Sequence, residues 1–183
     1  MHEPGFVVWL TGLSGAGKTT IAIELEKELL KRKLRVQRLD GDIVRKSLTK
    51  DLGFTEEDRK TNIERVTFVA QLLAKHGVAT LVSFISPYIS VREKAREAIQ
   101  SVNGKFIEVY VCASVEECAR RDVKGLYEKA FAGEIENFTG VSHPYEAPPN
   151  PAIVCNTEQE TIKESAKIII DYLEKNHLIP NSD

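Results

Sequence analysis

Eight residues near the N-terminus, residues 12–19, constrain the fold more than any other part of the chain. Their sequence, GLSGAGKT, fits the pattern G-x-x-x-x-G-K-[ST] of a phosphate-binding loop, or P-loop. The glycines let successive N–H groups point at a phosphate, Lys18 adds a positive charge, and the Thr19 hydroxyl can bind Mg²⁺. An apolar run of strand length, residues 6–10, precedes the loop, and a helical pattern, residues 21–30, follows it. This order of strand, loop and helix predicts a nucleoside triphosphate site.

The composition limits what such a chain can do. It has 183 residues, 42% of them hydrophobic and 28% charged, which predicts one globular domain over residues 1–183. The net charge is −2, so no overall basic field attracts nucleic acid, and no apolar run approaches membrane-spanning length. Three cysteines without C-x-x-C spacing predict buried free thiols rather than a metal site. We therefore expect a cytoplasmic protein without nucleic acid or membrane partners.

Strand-like and helix-like segments alternate along the chain. Apolar runs predict strands at residues 6–10, 35–39, 78–85, 106–111 and 152–155. Helical patterns lie between them, at residues 21–30, 56–76, 90–100, 115–121, 126–132 and 161–175. Three helices have capping signals, which are Thr55 with Asp58, Ser90 with Glu93, and Ser114 with Glu117. The alternation predicts a three-layer α/β/α P-loop NTPase fold with a mainly parallel sheet of roughly five strands.

Polar residues follow the predicted strands at the carboxyl edge, where sheets of this kind bind ligands. Asp40 and Asp42 flank a glycine after the second strand. One carboxylate would hold water bound to Mg²⁺, and the other would orient an attacking hydroxyl or accept its proton. A simple Asp-Gly turn is the alternative. Ser86 follows the third strand, where its hydroxyl would position an acceptor or carry a phosphate, and we favour positioning.

A second group of residues is typical of an anionic, aromatic acceptor. Arg59 and Asn62 lie three residues apart near the start of a predicted helix, and Arg45 lies shortly after the second strand. Helix N-termini favour anions, so a charged acceptor would fit there, whereas a solvated surface pair is the alternative. Phe54 and Phe138 lie in predicted loops. Their rings would either clamp a planar ligand or fill the core, and the core is the simpler interpretation.

Residues from about 115 to 150 predict a lid. Arg120 and Lys124 come at the end of a short helix, and a long irregular stretch rich in proline, residues 133–151, follows. Basic residues in a mobile segment there would close over phosphates and exclude water. The alternative is that they form the basic last turn of a helix, where the helix dipole favours positive charge.

Together, these motifs resemble those of the adenylylsulfate (adenosine-5′-phosphosulfate, APS) kinase family. The resemblance extends from residue 6 to the final helix and is most specific between residues 39 and 148. The segments that carry it are GLSGAGKT at 12–19, LDGDIVR at 39–45, LGFTEEDRKTNI at 52–63, ISPY at 85–88 with Arg92, RDVKGLY at 121–127, FTGV at 138–141 and PYEAP at 144–148. The sequence departs from the family pattern at Ile43, Lys46 and Cys112, where Asn, His and Asp are usual.

The resemblance implies transfer of a phosphoryl group from ATP, with Mg²⁺, to the ribose 3′-hydroxyl of APS. It also implies a homodimer, with association with, or excision from, an ATP sulfurylase partner left open. The predicted catalytic residues are Lys18, Asp40, Asp42 and Ser86, and the predicted metal ligands are Thr19 and, through water, Asp40. The predicted ATP-binding residues are Gly12, Leu13, Ser14, Gly15, Ala16, Gly17, Lys18, Thr19, Thr20 and Arg120. The predicted acceptor-binding residues are Asp42, Arg45, Phe54, Arg59, Asn62, Ile85, Ser86, Lys124, Leu126, Phe138 and Thr139.

Two other functions stay open at this stage. One is another small-metabolite P-loop kinase, but the aromatic pair Phe54 and Phe138 favours a planar acceptor over a sugar. The other is a non-catalytic, allosteric nucleotide-binding module, which predicts a degraded loop. Lys18 and Thr19 are intact, and both acidic residues after the second strand are present, so the sequence favours a kinase.

Overall fold

The computed structural model describes residues 4–181. Over that range the elements are, in order, β1 (Phe6–Thr11), α1 (Lys18–Lys31), β2 (Val36–Asp40), α2 (Gly41–Val44), α3 (Glu56–Lys75), β3 (Ala79–Ser83), α4 (Ile89–Gln100), β4 (Lys105–Cys112), α5 (Val115–Arg121), α6 (Leu126–Phe131), β5 (Ile153–Asn156) and α7 (Ile162–Lys175). Each predicted strand and helix is present, with ends that differ by up to three residues. None of these helices in the described part of the chain is long and apolar enough to cross a membrane.

The five strands form one sheet in the order β2-β3-β1-β4-β5, and every neighbouring pair is parallel. β1 lies at the centre, and all six of its residues are buried. Such a continuous apolar strand is expected where helices cover both faces of a parallel sheet. The predicted three-layer α/β/α fold is therefore confirmed.

Alternate residues of β1 face two separate cores. Val8 and Leu10 belong to a core that is shared with α1 and α7, whereas Val7 and Trp9 belong to a core shared with α3 and α4. This alternation is the period of two that a β-strand imposes on its side chains. The thiols of Cys118 and Cys155 are free and buried, as predicted, while that of Cys112 is free and half-buried.

Two of the three predicted helix caps are confirmed. The Thr55 hydroxyl accepts a hydrogen bond from the Asp58 N–H in a full capping box, and the Ser114 side chain accepts one from the Glu117 N–H. The predicted cap at Ser90 is wrong, because α4 begins one residue earlier, at Ile89. No local side chain caps this helix; a carboxylate oxygen of Glu146, distant in sequence, instead accepts from the Ile89 N–H at 2.6 Å. The helix is therefore capped by a tertiary contact with Glu146 and not by the local pair Ser90 and Glu93.

The carboxyl ends of the strands meet at one edge of the sheet. β1 leads directly into the P-loop, β2 ends at Asp40, and β3 ends at Ser83, which is aligned with Asp40. The segment that follows β3 carries Ser86. Because all strands are parallel, the loop, the acidic residues and the Ser86 segment lie along the same edge, where ligands bind in sheets of this type.

Candidate active site

The P-loop is closed on itself by its own lysine. The Lys18 ammonium donates hydrogen bonds to the carbonyl oxygens of Gly12 and Leu13, at 2.9 and 2.7 Å. Only glycine fits at position 12, because φ is 148° and a Cβ there would lie 2.3 Å from the Val111 carbonyl oxygen. Burial lowers the Lys18 pKa from 10.5 to about 8, although the charges of Asp40 and Asp42 act in the opposite direction. The ammonium is thus held next to the phosphate site in a desolvated environment.

Asp40 and Asp42 are in contrasting environments. Asp40 is buried: one carboxylate oxygen accepts from the Thr19 hydroxyl at 2.7 Å, and the other accepts from the Asp42 N–H at 3.0 Å, which caps α2. The Asp42 carboxylate is exposed and forms an ion pair with Lys124. Within residues 4–181 no group of three or more His, Cys, Asp or Glu side chains could hold a metal ion. Thr19 and Asp40 would therefore complete a site whose other ligands are phosphate and water oxygens.

Arg59 joins two loops at the acceptor side of the cleft. Its guanidinium donates to the Phe54 carbonyl oxygen at 2.9 Å, to the Thr139 hydroxyl at 2.6 Å and to the Asn137 carbonyl oxygen at 2.5 Å. Arg59 is part of α3, whose first turn is fixed by the Thr55 capping box. The contact between Arg59 and Thr139, two residues predicted to bind the acceptor, thus joins α3 to the predicted lid.

Arg45 lies beside this group, with its guanidinium carbon 4.4 Å from the centre of the Phe54 ring. Burial lowers the pKa values of both Arg45 and Arg59, and the positive charge of Arg59 lowers the pKa of Arg45 further. Neither guanidinium forms an ion pair with a carboxylate in the described part of the chain. Two desolvated positive charges without a paired anion are the electrostatic pattern of an anion-binding site.

Asn62 is one turn further along α3 than Arg59 and is buried. Its Oδ1 atom has no hydrogen-bond partner among the described residues. Buried polar atoms are nearly always paired, so an unpaired one a turn from Arg59 indicates a group that a ligand satisfies. That Arg59 and Asn62 serve one acceptor stays a prediction.

The two predicted aromatic residues differ in their surroundings. Phe54 is 61% exposed, and its ring is covered on one face by Arg45. Phe138 is buried and packs edge-on against Tyr127, with ring centres 4.9 Å apart. The interpretation of both rings as core residues is therefore right for Phe138 and wrong for Phe54, since Phe54 lies at the rim of the cleft and presents an aromatic face.

Ser86 is not where a catalytic nucleophile would be. Its side chain is 2% exposed, and its Oγ accepts a hydrogen bond from the Trp9 indole N–H at 3.1 Å and donates to the Phe84 carbonyl oxygen at 3.4 Å. The hydroxyl is thus directed toward the sheet. The neighbouring Ile85 carbonyl oxygen is held by the Thr11 hydroxyl at 2.7 Å. The structure contradicts a catalytic role for the Ser86 hydroxyl and leaves the residue as part of the wall of the cleft.

The segment that was predicted as a lid contacts the P-loop through residues not on the predicted list. Arg121 donates to the Gly15 carbonyl oxygen at 3.3 Å and to both the hydroxyl and the carbonyl of Thr157, and the Tyr127 hydroxyl donates to the Ser14 carbonyl oxygen at 3.0 Å. The only sequence signal for these contacts was their place in the RDVKGLY motif.

Three other predicted residues lie in the first or last turn of a helix. The Arg120 side chain is 73% exposed and pairs with Glu117 of its own helix, so its contact with the nucleotide stays a prediction. Thr20 is exposed in the first turn of α1. Leu126 is half-buried at the start of α6, where its N–H donates to the Asp122 carboxylate at 2.8 Å. Helix-dipole and capping requirements account for the positions of Arg120 and Leu126.

A closed P-loop, a Thr–Asp pair that suits Mg²⁺ and an opposing anion site on a parallel sheet define a phosphotransferase of the P-loop class. The family profile for Adenylylsulphate kinase matches residues 4–156, and the chain belongs to this family. It is 59% identical to the adenylyl-sulfate kinase of Halothermothrix orenii over 95% of this chain and 92% of that one. It is 54% identical to that of Rippkaea orientalis over 96% and 94% of the two chains. The structure superposes on Mycobacterium tuberculosis APS kinase CysC in complex with AMPPNP and APS with a TM-score of 0.90, at 43% identity and with 93% and 98% of the chains covered.

Proposed function

We propose that the protein transfers the γ-phosphoryl group of ATP to the ribose 3′-hydroxyl of APS, which gives 3′-phosphoadenosine-5′-phosphosulfate and ADP. The observation that carries this proposal is the combination of an intact P-loop with a facing pair of unpaired guanidiniums, Arg45 and Arg59, beside the exposed ring of Phe54. The loop accounts for the triphosphate, and the second group accounts for an acceptor that is both anionic and aromatic.

The donor site works through exchange of hydrogen-bond partners. The Lys18 ammonium is held by two loop carbonyl oxygens. The β- and γ-phosphates of ATP carry full negative charge, so they bind the same ammonium more strongly than the neutral carbonyls do. Because the ammonium is desolvated, its charge acts on the transferring phosphoryl group with little screening by water.

The residues around Thr19 fit Mg²⁺, because a hydroxyl and a carboxylate 2.7 Å apart are hard oxygen donors at the phosphate end of the loop. Thr19 and, through a water, Asp40 would hold the ion, which would supply positive charge against the negative charge that develops during transfer. Asp40 is fixed by two hydrogen bonds, to Thr19 and to the backbone of α2. It is therefore rigid enough to hold a metal-bound water, while its neighbour Asp42 stays free for another role.

Asp42 is the group that we assign to the acceptor hydroxyl. The 3′-oxygen attacks the γ-phosphorus in line, the bond from that phosphorus to the β–γ bridging oxygen breaks, and the hydroxyl proton passes to the Asp42 carboxylate. Lys124 pairs with this carboxylate in the empty protein. Since both side chains are at least half exposed, that pair costs little to separate when substrates enter.

The anionic acceptor is oriented by the group at the start of α3. Arg59 and Arg45 supply positive charge, the unpaired amide oxygen of Asn62 accepts a hydrogen bond, and Phe54 offers a face on which adenine stacks once Arg45 moves aside. We also propose that residues 115–150 act as a lid, because Lys124 and Thr139 reach across the cleft to Asp42 and Arg59 respectively.

An ADP-release assay with a panel of acceptors tests the reaction. We expect turnover with APS and a loss of at least about a hundredfold in Lys18→Ala, the scale of removing a charge that stabilises the transition state. Ser86→Ala is the matched comparison, because its hydroxyl is buried against Trp9, and we expect it to keep most of the activity. Equal rates with APS, AMP, gluconate and shikimate would contradict the assignment of the acceptor.

We further propose a cytoplasmic homodimer, with an ATP sulfurylase as the source of APS. A groove of about 240 Å³ lies between α3 and α4, and Phe68, 60% exposed, projects from its edge. A protruding ring next to a groove on one surface is self-complementary, which is what a two-fold interface requires. Light scattering on Phe68→Asp should show a monomer, whereas Leu30→Asp, at an exposed apolar site on α1, should leave the dimer intact. A wild-type monomer would contradict the proposal.

A further inference from the structure

One arginine that the reaction scheme does not use is completely buried next to the active site. Arg92, in the first turn of α4, is 0% exposed. We propose that Arg92 is a positioning residue of the acceptor site, which fixes the Ser86 segment and the segment Tyr145–Glu146 to each other. This inference rests on the proposed function only where it concerns APS.

The hydrogen bonds of Arg92 reach three parts of the chain that are far apart in sequence. Its Nε donates to Glu108 of β4 at 2.8 Å, one terminal nitrogen donates to the Ser86 carbonyl oxygen at 2.6 Å, and the other donates to the Glu146 carbonyl oxygen at 2.8 Å. Only the planar fork of an arginine has donors in three fixed directions, so lysine could not reproduce this set of contacts.

The charge of Arg92 is balanced by Glu108, which Arg96 also binds, at 3.1 Å. Arg96 lies on the same helix, one turn away, and is largely buried but not fully. Among the described residues it forms no hydrogen bond with Ser86 or Glu146, and its other partners are Glu93 and the ring of Phe106. Arg96 therefore shares the ion pair of Arg92 but not its two contacts with backbone carbonyls, which makes it a matched control.

The Ser86 segment needs external support because its backbone is strained. Ser86 has φ of +40°, a region that non-glycine residues rarely adopt. Its carbonyl is held by Arg92, its hydroxyl by Trp9, and the preceding carbonyl of Ile85 by Thr11. Strained residues persist where surrounding contacts fix them, and they concentrate at functional sites. Here these contacts hold the Ser86 segment as the wall of the cleft between the P-loop and the predicted acceptor-binding residues.

The segment Tyr145–Glu146, at the C-terminal end of the lid, is fixed to the same wall. The Glu146 N–H donates to the Pro87 carbonyl oxygen at 2.9 Å, and its carboxylate caps α4 at Ile89. The Thr11 hydroxyl donates its one hydrogen bond to the Ile85 carbonyl oxygen. It must therefore accept from the Tyr145 hydroxyl, at 2.9 Å. Arg92 lies beneath this segment and joins it to the Ser86 wall, so lid movement is confined to residues before Tyr145.

The test compares Arg92→Lys and Arg92→Met with Arg96→Met. If Arg92 positions the acceptor wall, the Arg92 variants raise KM for APS by about tenfold or more, since small displacements in a site have large kinetic effects. KM for ATP should stay within about twofold, because the P-loop makes none of these contacts. The single tryptophan, Trp9, donates to Ser86 Oγ, so its emission should change in the Arg92 variants and remain at the wild-type spectrum in Arg96→Met.

If Arg92→Met fails to fold, Arg92→Lys and Glu146→Ala decide the question, because Glu146 is exposed and its replacement removes the carboxylate that ties this segment to Ile89 of α4. Wild-type KM values for APS in both would overturn the proposal. So would equal rises in KM for APS and ATP, or the same effects in Arg96→Met. Trp9 emission is measured without any substrate, so it tests the positioning role even if the wild-type enzyme proves not to use APS.

Discussion

Replacing Lys18 by methionine should make the empty protein more stable while it removes activity. The ammonium is desolvated, and burial lowers its pKa from 10.5 to about 8. The folded protein therefore binds this proton less well than the unfolded chain does, which means that the charged form costs stability. Methionine has nearly the same length without the charge. Active-site groups are commonly held at such a cost, and their replacement stabilises the fold.

The expected magnitude follows from the pKa. A shift from 10.5 to about 8 corresponds to about 3 kcal/mol, at about 1.4 kcal/mol for each pKa unit. The variant also loses the two hydrogen bonds from Lys18 to the Gly12 and Leu13 carbonyl oxygens, which at about 1 kcal/mol each subtracts about 2 kcal/mol. At pH 7 the net gain in the free energy of unfolding is therefore about 1 kcal/mol.

The gain should depend on pH with a definite sign. Between pH 8 and 10.5 the unfolded chain still holds the Lys18 proton while the folded protein has released it, so wild-type stability rises with pH in this window. By pH 9.5 the remaining cost of the buried ammonium is about 1 kcal/mol, which is less than the value of about 2 kcal/mol for the two lost hydrogen bonds. The stability of Lys18→Met relative to wild type should thus fall from a gain of about 1 kcal/mol at pH 7 to a loss of about 1 kcal/mol at pH 9.5.

Urea unfolding followed by Trp9 emission measures the free energy of unfolding of both proteins at pH 7 and pH 9.5. The prediction concerns how the difference between the two proteins changes with pH. Trp9 is fully buried and is the single tryptophan, so its signal reports global unfolding. Comparison of the two proteins at each pH cancels the titration of the other groups. A variant that is no more stable than wild type at pH 7, or a stability difference that does not change with pH, would refute the reasoning.

Three other predictions concern the acceptor side. Thr55→Ala should lower the free energy of unfolding by about 1 kcal/mol through loss of the capping box, and it should also reduce kcat/KM for APS. The control is Thr161→Ala, which removes the equivalent box of α7 and should cost similar stability with unchanged kinetics. Arg59→Lys should raise KM for APS about tenfold through loss of its fixed contacts with two loops, and Arg65→Lys, at an exposed pair, should not. Asp42→Asn should lower kcat by about a hundredfold at unchanged KM for ATP, and a variant that keeps the wild-type kcat would assign the base elsewhere.

The fold could be predicted from the sequence because its signals are local and repeated. Each strand is an apolar run, and the P-loop fixes β1 and α1 as neighbours. The caps at Thr55 and Ser114 were also predictable, since the two partners lie three residues apart. The cap of α4 was not, because the group that accepts from the Ile89 N–H belongs to Glu146. Sequence patterns detect neighbours in the chain and miss partners that the fold brings together.

In the site, residues that the order of strands and helices places were predictable, and residues whose surroundings depend on distant segments were not. Lys18 and Thr19 begin the helix after the P-loop, and Asp40 ends β2, so topology alone places all three at one edge of the sheet. The exposure of Phe54 and the burial of Phe138 were not predictable, because each depends on packing by residues from other segments, Arg45 and Tyr127. The direction of the Ser86 hydroxyl depends likewise on Trp9, seventy-seven positions away.

Lys18 and Lys124 differ from Arg92 in the partners that they bind. Lys18 contacts neutral carbonyls, and Lys124 forms an exposed ion pair, so charged substrate groups can replace their partners at small cost. Arg92 instead binds a buried carboxylate and two backbone carbonyls, and no substrate can compete for it without leaving those groups unpaired. A phosphotransferase needs both kinds, because the groups that follow the moving phosphoryl must exchange partners while the wall that aligns the acceptor must not move.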